Sequence, residues 1–307
     1  SQELNKKCPA YIRSFMGGNF IPEMGVPKLK RLTDHLTDAR QTTHYSLELF
    51  DLHRYIGYEL AEKYNWNYEK ILNTPNTNEI GNDGELAGWS SSFYEGILKL
   101  PANVVIGPLR VQPEKFQNGA IKIASCIDCY SSWFSLCSSD LPHSLFVVGG
   151  TSTCYVYASS SLKSTIPGVW GPFTDIMSPY SVYETGQSCT GRLIEYLFET
   201  HPASSGIPRQ NWPDLLKKIE HEIVCIENET QESVHFKTKN MFLYGDLQGN
   251  RTPYADPDMS GMFIGETTDT SFKNLVYKYV CVLECLAFQI KQMISIFGSL
   301  TKIKELR

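Results

Sequence analysis

No unbroken stretch of about 18 apolar residues occurs in this sequence, so a membrane-spanning segment is not expected. Positive charge is short as well: 28 Lys and Arg stand against 33 Asp and Glu, a formal net charge of −5 with a pI near 5.8. A nucleic-acid binder needs a basic face, so that class of partner is set aside. Cysteine pairing is sparse. Nine cysteines, an odd number, are scattered over 307 residues, unlike the dense even frameworks of small secreted domains. Cys126-Ile127-Asp128-Cys129 has no second pair of the same spacing to complete a structural zinc site, and no metal site is expected from the side chains. The chain opens on Ser1 without a Met or a secretory apolar region. It reads as a piece of a longer sequence with a reducing, cytoplasmic home.

The composition is that of a globular protein, with 42% apolar and 20% charged residues. Pro27 to His35 reads as a helix start, with Pro in the first turn and Leu29 and Leu32 as its apolar positions. Residues 45 to 65 are helix-like, in one piece or two, and residues 73 to 86 carry loop chemistry. Val104 to Val111, broken by Gly107-Pro108, reads as a connection. Ala120 to Ile127 reads as a buried strand ending at Asp128, with a helix through Trp133 behind it. Ser144 to Val148 and Cys154 to Ser159 form a hairpin about the turn Gly149 to Thr153. Helices are predicted over Gln187 to Phe198, Trp212 to Ile226 and Phe272 to Phe297, with a short strand at Met241 to Tyr244. Strands interleaved with long helices give an α/β class, and the hairpin makes its sheet mixed.

Three segments have residue types suited to phosphate chemistry. Asp128, at the carboxyl end of a strand, faces the crevice where α/β ligands bind, and a carboxylate there can take the proton of an attacking hydroxyl. The plainer reading is an aspartate capping the next helix through the Ser131 or Ser132 amide, and position alone favours it. Gly149-Gly150-Thr151-Ser152-Thr153 can bring backbone amides against phosphate oxygens, although it has no Lys and is not a Walker loop. Glu184 to Gly191 opens a helix, where free amides and the helix dipole favour an anion. Each of the last two is equally a simple turn or helix start.

Taken in order, the blocks Gly150-Thr151-Ser152, Pro167 to Pro172, Glu184 to Gly191, Asp246 to Pro253, Ala255-Asp256 and Gly261-Met262 resemble the FGGY family of carbohydrate kinases, in its ribulokinase-like branch. The resemblance implies an actin-like (RNase H-like) ATPase fold: mixed sheets with flanking helices, two domains around a cleft, with sugar and MgATP between them. It implies residues 1–140 as the rest of an amino-terminal sugar-binding domain and 141–307 as most of a nucleotide-binding domain. It makes Asp128 the catalytic base, places Gly150 and Thr151 near the γ-phosphate and sets Gly186 and Thr190 at a helix start along the nucleotide. Glu23 becomes a sugar contact, and Asp246, Asn250 and Arg251 a loop shaping the cleft. Glu284 matches an acidic position with a helix-orienting or a ligand role. The departures are Arg31 for a usual Trp, Cys129-Tyr130 for Ala-His and Thr185-Gly186 for Gly-Gly.

The expected function is ATP-dependent phosphorylation of a sugar hydroxyl, on a ketopentose such as D-ribulose, with ATP and Mg2+. A homo-oligomer is left open. The family's Asp-x-Gly phosphate loop and its adenosine segment are not found, so the 307 residues alone are expected to be inactive. The rival is a catalytically degenerate kinase fold acting as a ligand-binding or interaction module. A third reading, a redox protein built on Cys126 and Cys129, requires an acidic thiol.

Overall fold

The computed structural model describes the chain except for residues 39–46, 65–67, 70–83, 107–109, 112–113, 116–120, 123–125, 137–140, 175, 178, 299–304 and 307. Its amino-terminal part carries helices α1 (Gln2–Lys7), α2 (Ala10–Ser14), α3 (Gly25–Asp38), α4 (Leu52–Lys63) and α5 (Asp128–Leu136), and a π-helical turn at Phe93–Leu98. Its strands are short: β1 (Leu47–Leu49) pairs parallel with β3 (Val104–Ile106), β2 (Tyr68–Glu69) antiparallel with β4 (Arg110–Val111), and β5 (Glu114–Lys115) antiparallel with β6 (Ile121–Lys122). The sequence places a helix over Leu47 to Leu49 and a connection at Val104; both are strands, because each supplies the other's hydrogen bonds across a long stretch of chain. Of the strand expected over 120–127, only residues 121–122 are strand; 120 and 123–125 lie outside the described residues, as do 73–83 and Gly107-Pro108.

The carboxyl-terminal part is organised by one five-stranded sheet in the order β13 (Glu305–Leu306), β7 (Ser144–Gly149), β8 (Thr153–Ser159), β10 (Ser181–Gln187), β9 (Trp170–Phe173). All its pairings are antiparallel except β13 with β7, so the sheet is mixed as expected. Alternation sorts its side chains into two layers. Phe146, Val156, Ala158 and Val182 face one core, shared with Leu4, Met16, Phe20, Trp89, Phe93 and Trp133 of the amino-terminal part. Leu145, Tyr155, Tyr157 and Tyr183 face the other, closed by Met293 and Phe297. A sheet covered on both faces explains why β7 and β8 read as nearly continuous apolar runs.

Helices α6 (Gly191–Thr200), α7 (Trp212–Thr230) and α9 (Phe272–Gly298) pack a third cluster through Leu193, Ile219, Leu275 and Val282. Between them lie α8 (Val234–Lys237) and the hairpin β11 (Phe242–Tyr244) with β12 (Met262–Ile264). By length and composition α9 could cross a membrane, with a mean hydropathy of 1.6 in its most apolar window, an exception to the sequence expectation. Its contacts account for part of that apolarity, a third of that window being buried. The first half buries Leu275 and Val276 against α6 and α7, and the second slides Met293 and Phe297 under the sheet, Phe297 lying 5.2 Å from the Tyr157 ring. Leu283, expected in the core, is exposed. Glu284 accepts hydrogen bonds from His235 (2.6 Å) and Thr238 (3.2 Å), tying α8 to α9.

The two parts are also joined by backbone. Gly171 donates to the Phe15 carbonyl at 2.8 Å, Gly168 to the Gly17 carbonyl at 3.1 Å, and Met16 bridges Trp170. This seam adds the segment after α2 to the β9 edge of the sheet, and the cleft lies beside it.

Candidate active site

The cleft has a volume of about 1190 Å³. One wall is α4, whose Leu52, Ile56 and Leu60 are exposed to it. This i, i+4, i+8 stripe, within the stretch that reads as helix-like in the sequence, is a cleft lining in the fold. The other walls are the start of α3 (Glu23, Met24), the start of α5 (Asp128, Cys129), the turn Gly150 to Ser152, and a floor of Cys154, Trp170, Glu184 and Arg251.

Asp128 is the first residue of α5 and is exposed in the cleft. Among the described residues its Oδ1 accepts only the adjacent Cys129 amide, at 2.9 Å, while the Ser131 amide goes to the Ile127 carbonyl. The capping bond to Ser131 or Ser132 is not made, so the carboxylate is not committed to the helix end. It is open to solvent in the cleft.

The Gly149–Thr153 turn closes when the Gly150 amide donates to the Ser152 carbonyl at 2.8 Å. Behind it sits the start of α6. The amides of Thr190 and Arg192 donate to the Thr151 carbonyl (3.0 and 3.2 Å), and that of Gly191 to the Gly150 carbonyl (2.9 Å). Thr190 Oγ1 also meets Thr153 Oγ1 at 2.7 Å. These helix-start amides, expected to face phosphate, therefore brace the turn instead. The Thr151 and Ser152 amides make no backbone hydrogen bond to another described residue, and with two hydroxyls they are the donors this wall offers. Gly191 has no space for a side chain: a Cβ would lie 2.8 Å from the Gly150 oxygen.

Gly186 is not at the helix start. It lies in β10, opposite Cys154, because the helix begins only at Gly191. Neither Gly186 nor Thr190 lines the cleft. Gly186 instead leaves room for Arg251, whose Cδ would be 2.9 Å from an added Cβ. Arg251 Nη2 donates to Glu23 Oε2 at 2.9 Å, Nη1 lies 3.8 Å from Cys154 Sγ, and the guanidinium sits over the Trp170 ring at 6.0 Å. Glu23 thus lines the cleft, held by an ion pair with Arg251. Of the loop residues 246, 250 and 251, only Arg251 lines the cleft. Asn250 donates to Asp246 at 2.6 Å, Gln289 donates to Asp246 at 3.3 Å, and Tyr254 N donates to Asn250 at 2.9 Å; the buried Asp246 and Asn250 thus hold the loop and do not line the cleft.

Two clusters were not legible in the sequence. Asp51 accepts the Leu86 amide at 2.9 Å, and Glu85 accepts from His53 (2.8 Å) and Arg54 (3.1 Å). Burial and the neighbouring Glu85 push the Asp51 carboxyl up. Burial also opposes ionisation of Glu85, but His53 and Arg54 outweigh it and hold its carboxyl low. The second cluster is Cys129, Cys154 and Glu184, whose ligand-type atoms lie within 4.8 Å of one another. The Cys129 hydrogen bond, helped by Arg251, overcomes burial and holds the Cys154 thiol down at about 6. Cys126, the partner expected for Cys129, is instead pushed up by burial. Asp51, His53 and Glu85 are likewise within 4.8 Å. Mg2+ takes hard oxygen ligands in open octahedra, and neither group suits it: one is neutralised by Arg54, the other is thiol-rich beside Arg251.

A mixed sheet with flanking helices, facing a second domain across a cleft, is the actin-like, RNase H-like ATPase fold of the sugar kinases. The xylulose kinase from Rhodospirillum rubrum has this fold with a TM-score of 0.63 at 11% identity, over 99% of this chain and 59% of that one. The family model for the FGGY family of carbohydrate kinases, C-terminal domain, matches residues 145–306, and the chain belongs to that family. It is 49% identical over 312 residues to Protein MPA43 of Saccharomyces cerevisiae, covering all of this chain and 57% of that protein. It is 28% identical over 349 residues to D-ribulokinase YDR109C of the same yeast, covering 96% of this chain and 48% of that protein. The chain spans about half the length of the curated relatives it matches.

Proposed function

We propose that the protein to which this chain belongs transfers the γ-phosphoryl group of ATP, entering as its magnesium complex, to a hydroxyl of a ketopentose such as D-ribulose. The observation that carries this reading is the uncommitted Asp128 carboxylate in the same cleft as a glycine turn with two open amides. The sugar hydroxyl lies against Asp128, which accepts its proton as the phosphorus–oxygen bond forms. The Thr151 and Ser152 amides receive phosphate charge, and the braced turn keeps them in place without reorganisation. Glu23, oriented by Arg251, accepts sugar hydroxyls, and the apolar face of α4 excludes water that would compete as acceptor. In this reading residues 1–140 supply the sugar side and 141–307 the nucleotide side, in a cytoplasmic enzyme. The relative named D-ribulokinase supports the choice of sugar.

The test is Asp128→Asn in a protein of the relatives' full length. Removing a general base lowers turnover by about 10²–10⁴-fold, with much smaller changes in sugar and ATP affinity. Turnover within about threefold of the parent sinks the assignment. One observation favours a second reading, a kinase fold kept as a ligand-binding module: Cys129 and Tyr130, both buried, stand where the family resemblance places Ala-His. Under that reading ligand binds, and no sugar in a panel releases ADP.

A further inference from the structure

We propose that Cys154 and Cys129 are a peroxide-sensitive thiol pair in the cleft wall, which closes to a disulfide and stops the activity of the cleft. The placement carries the argument. Cys154 lies in β8 opposite Gly186 of β10, and Cys129 comes from α5, directly after Asp128. Their sulfurs lie within 4.8 Å of each other, and both residues line the cleft; Cys154 is partly exposed there, so a small oxidant reaches it from solvent, with Cys129 buried behind it. The missing side chain at Gly186 admits Arg251 to within 3.8 Å of Cys154 Sγ, where its positive charge favours the thiolate. The groups facing Cys154 are Cys129 from α5, Glu184 from β10 and Arg251 from the 246–253 loop, with Glu23 of the segment before α3 on the far side of Arg251. The depressed Cys154 thiol, at about 6, agrees with that setting. Among the described cysteines, Cys8, Cys126, Cys189, Cys281 and Cys285 are shifted the other way, by burial.

The chemistry balances with hydrogen peroxide as the oxidant. The Cys154 thiolate attacks one peroxide oxygen; a sulfur–oxygen bond forms, the oxygen–oxygen bond breaks, and hydroxide leaves and is protonated to water. Cys129 then gives its proton towards the Glu184 carboxylate, 4.0 Å away, and attacks the sulfenic sulfur. The sulfur–sulfur bond forms and a second water leaves. The two sulfurs together lose two electrons, and one peroxide becomes two waters. Closing to a bond length of about 2.05 Å requires the two side chains to turn toward each other. That pulls the first turn of α5, and with it Asp128, against β8. The loss of activity rests on the Asp128 reading; the thiol chemistry does not.

The experiment has two readouts in the full-length protein. First, iodoacetamide labelling of each cysteine is followed by peptide mass spectrometry across pH. A thiol titrating near 6 is almost wholly ionised by pH 7, so the Cys154 rate rises less than about 1.2-fold from pH 7 to 8, whereas a thiol at the ordinary value of about 8.5 rises roughly eightfold. Rates at one pH do not discriminate, because nucleophilicity falls as the thiol becomes more acidic. Second, peroxide treatment yields a Cys129–Cys154 linked peptide, absent in Cys154→Ser and in Cys129→Ala and reversed by dithiothreitol, with turnover lost and regained in step. No linked peptide, or Cys154 driven to sulfonic acid without linkage, overturns the pair. Linkage that leaves the turnover of an active kinase unchanged overturns the switch. In a protein with no kinase activity, the labelling profile and the linked peptide still decide the thiol proposal alone.

Discussion

Asp128 and Cys129 are adjacent in sequence and opposite in environment: one is exposed to the cleft, the other 5% exposed beneath it. The first turn of a helix makes this possible, since successive side chains point about 100° apart. Glu85 illustrates the opposite case, a carboxylate whose charge is wholly committed. Its folded-state pKa is depressed, because the His53 and Arg54 contacts outweigh burial. The ionised contacts therefore stabilise the fold above the unfolded value of about 4.3. That contribution fades as pH falls through the lower folded value. Glu85→Gln should cost about 1–3 kcal/mol in chemical denaturation at pH 7, and the deficit should shrink in acid. An undiminished deficit at low pH would mean the loss lies in packing and not in charge. Gly186→Ala is a sharper residue-scale probe. Its Cβ would meet Arg251 Cδ at 2.9 Å, so Arg251 should leave Glu23, raising sugar KM well before kcat falls.

At the scale of elements, the turn between β7 and β8 and the start of α6 behave as one unit. Gly191→Ala would set a Cβ against the Gly150 oxygen at 2.8 Å and force the two apart. ATP affinity is expected to fall in calorimetry while sugar binding persists; an unchanged ATP affinity would remove the turn from the phosphate site. Gly150 itself has room, its Cβ meeting only the Ser152 carbonyl at 3.6 Å, and its φ is not left-handed. A substitution there tests the approach of the ligand and not backbone strain. The β7–β8 hairpin, α7 and α9 were legible in the sequence because apolar runs or stripes are bounded by Gly-Gly, Pro and polar turns. Strand β10 was not legible. Its Glu184, Thr185 and Gln187 are buried polar residues, so Ser181–Gln187 reads as a polar lead-in to a helix. The parallel β1–β3 pair and the Cys129–Cys154 contact were hidden for a different reason. Each joins distant segments, and periodicity reports only on near neighbours. The stretch holding Leu52, Ile56 and Leu60 read as helix-like, but a helix face for ligand and a face for core carry the same signature.

For the whole molecule, a ligand that binds the folded cleft and not the unfolded chain must stabilise the fold. At one hundred times its dissociation constant the gain is about 2.7 kcal/mol. Calorimetric melting of the full-length protein should therefore move upward with a ketopentose, and further when a non-hydrolysable ATP analogue is added. A sugar that is turned over but leaves the melting temperature unmoved would contradict binding in this cleft. How the walls approach each other is constrained by the hydrogen-bonded seam of Phe15 and Gly17 with Gly168 and Gly171. A row of backbone bonds resists shear and separation along its length but yields to rotation about it, as the spine of a book does. Any approach of the cleft walls is therefore easiest as a swing about the 15–17 and 168–171 line, and the Glu23–Arg251 pair, which orients Glu23 for the sugar, also works as a clasp on the pages.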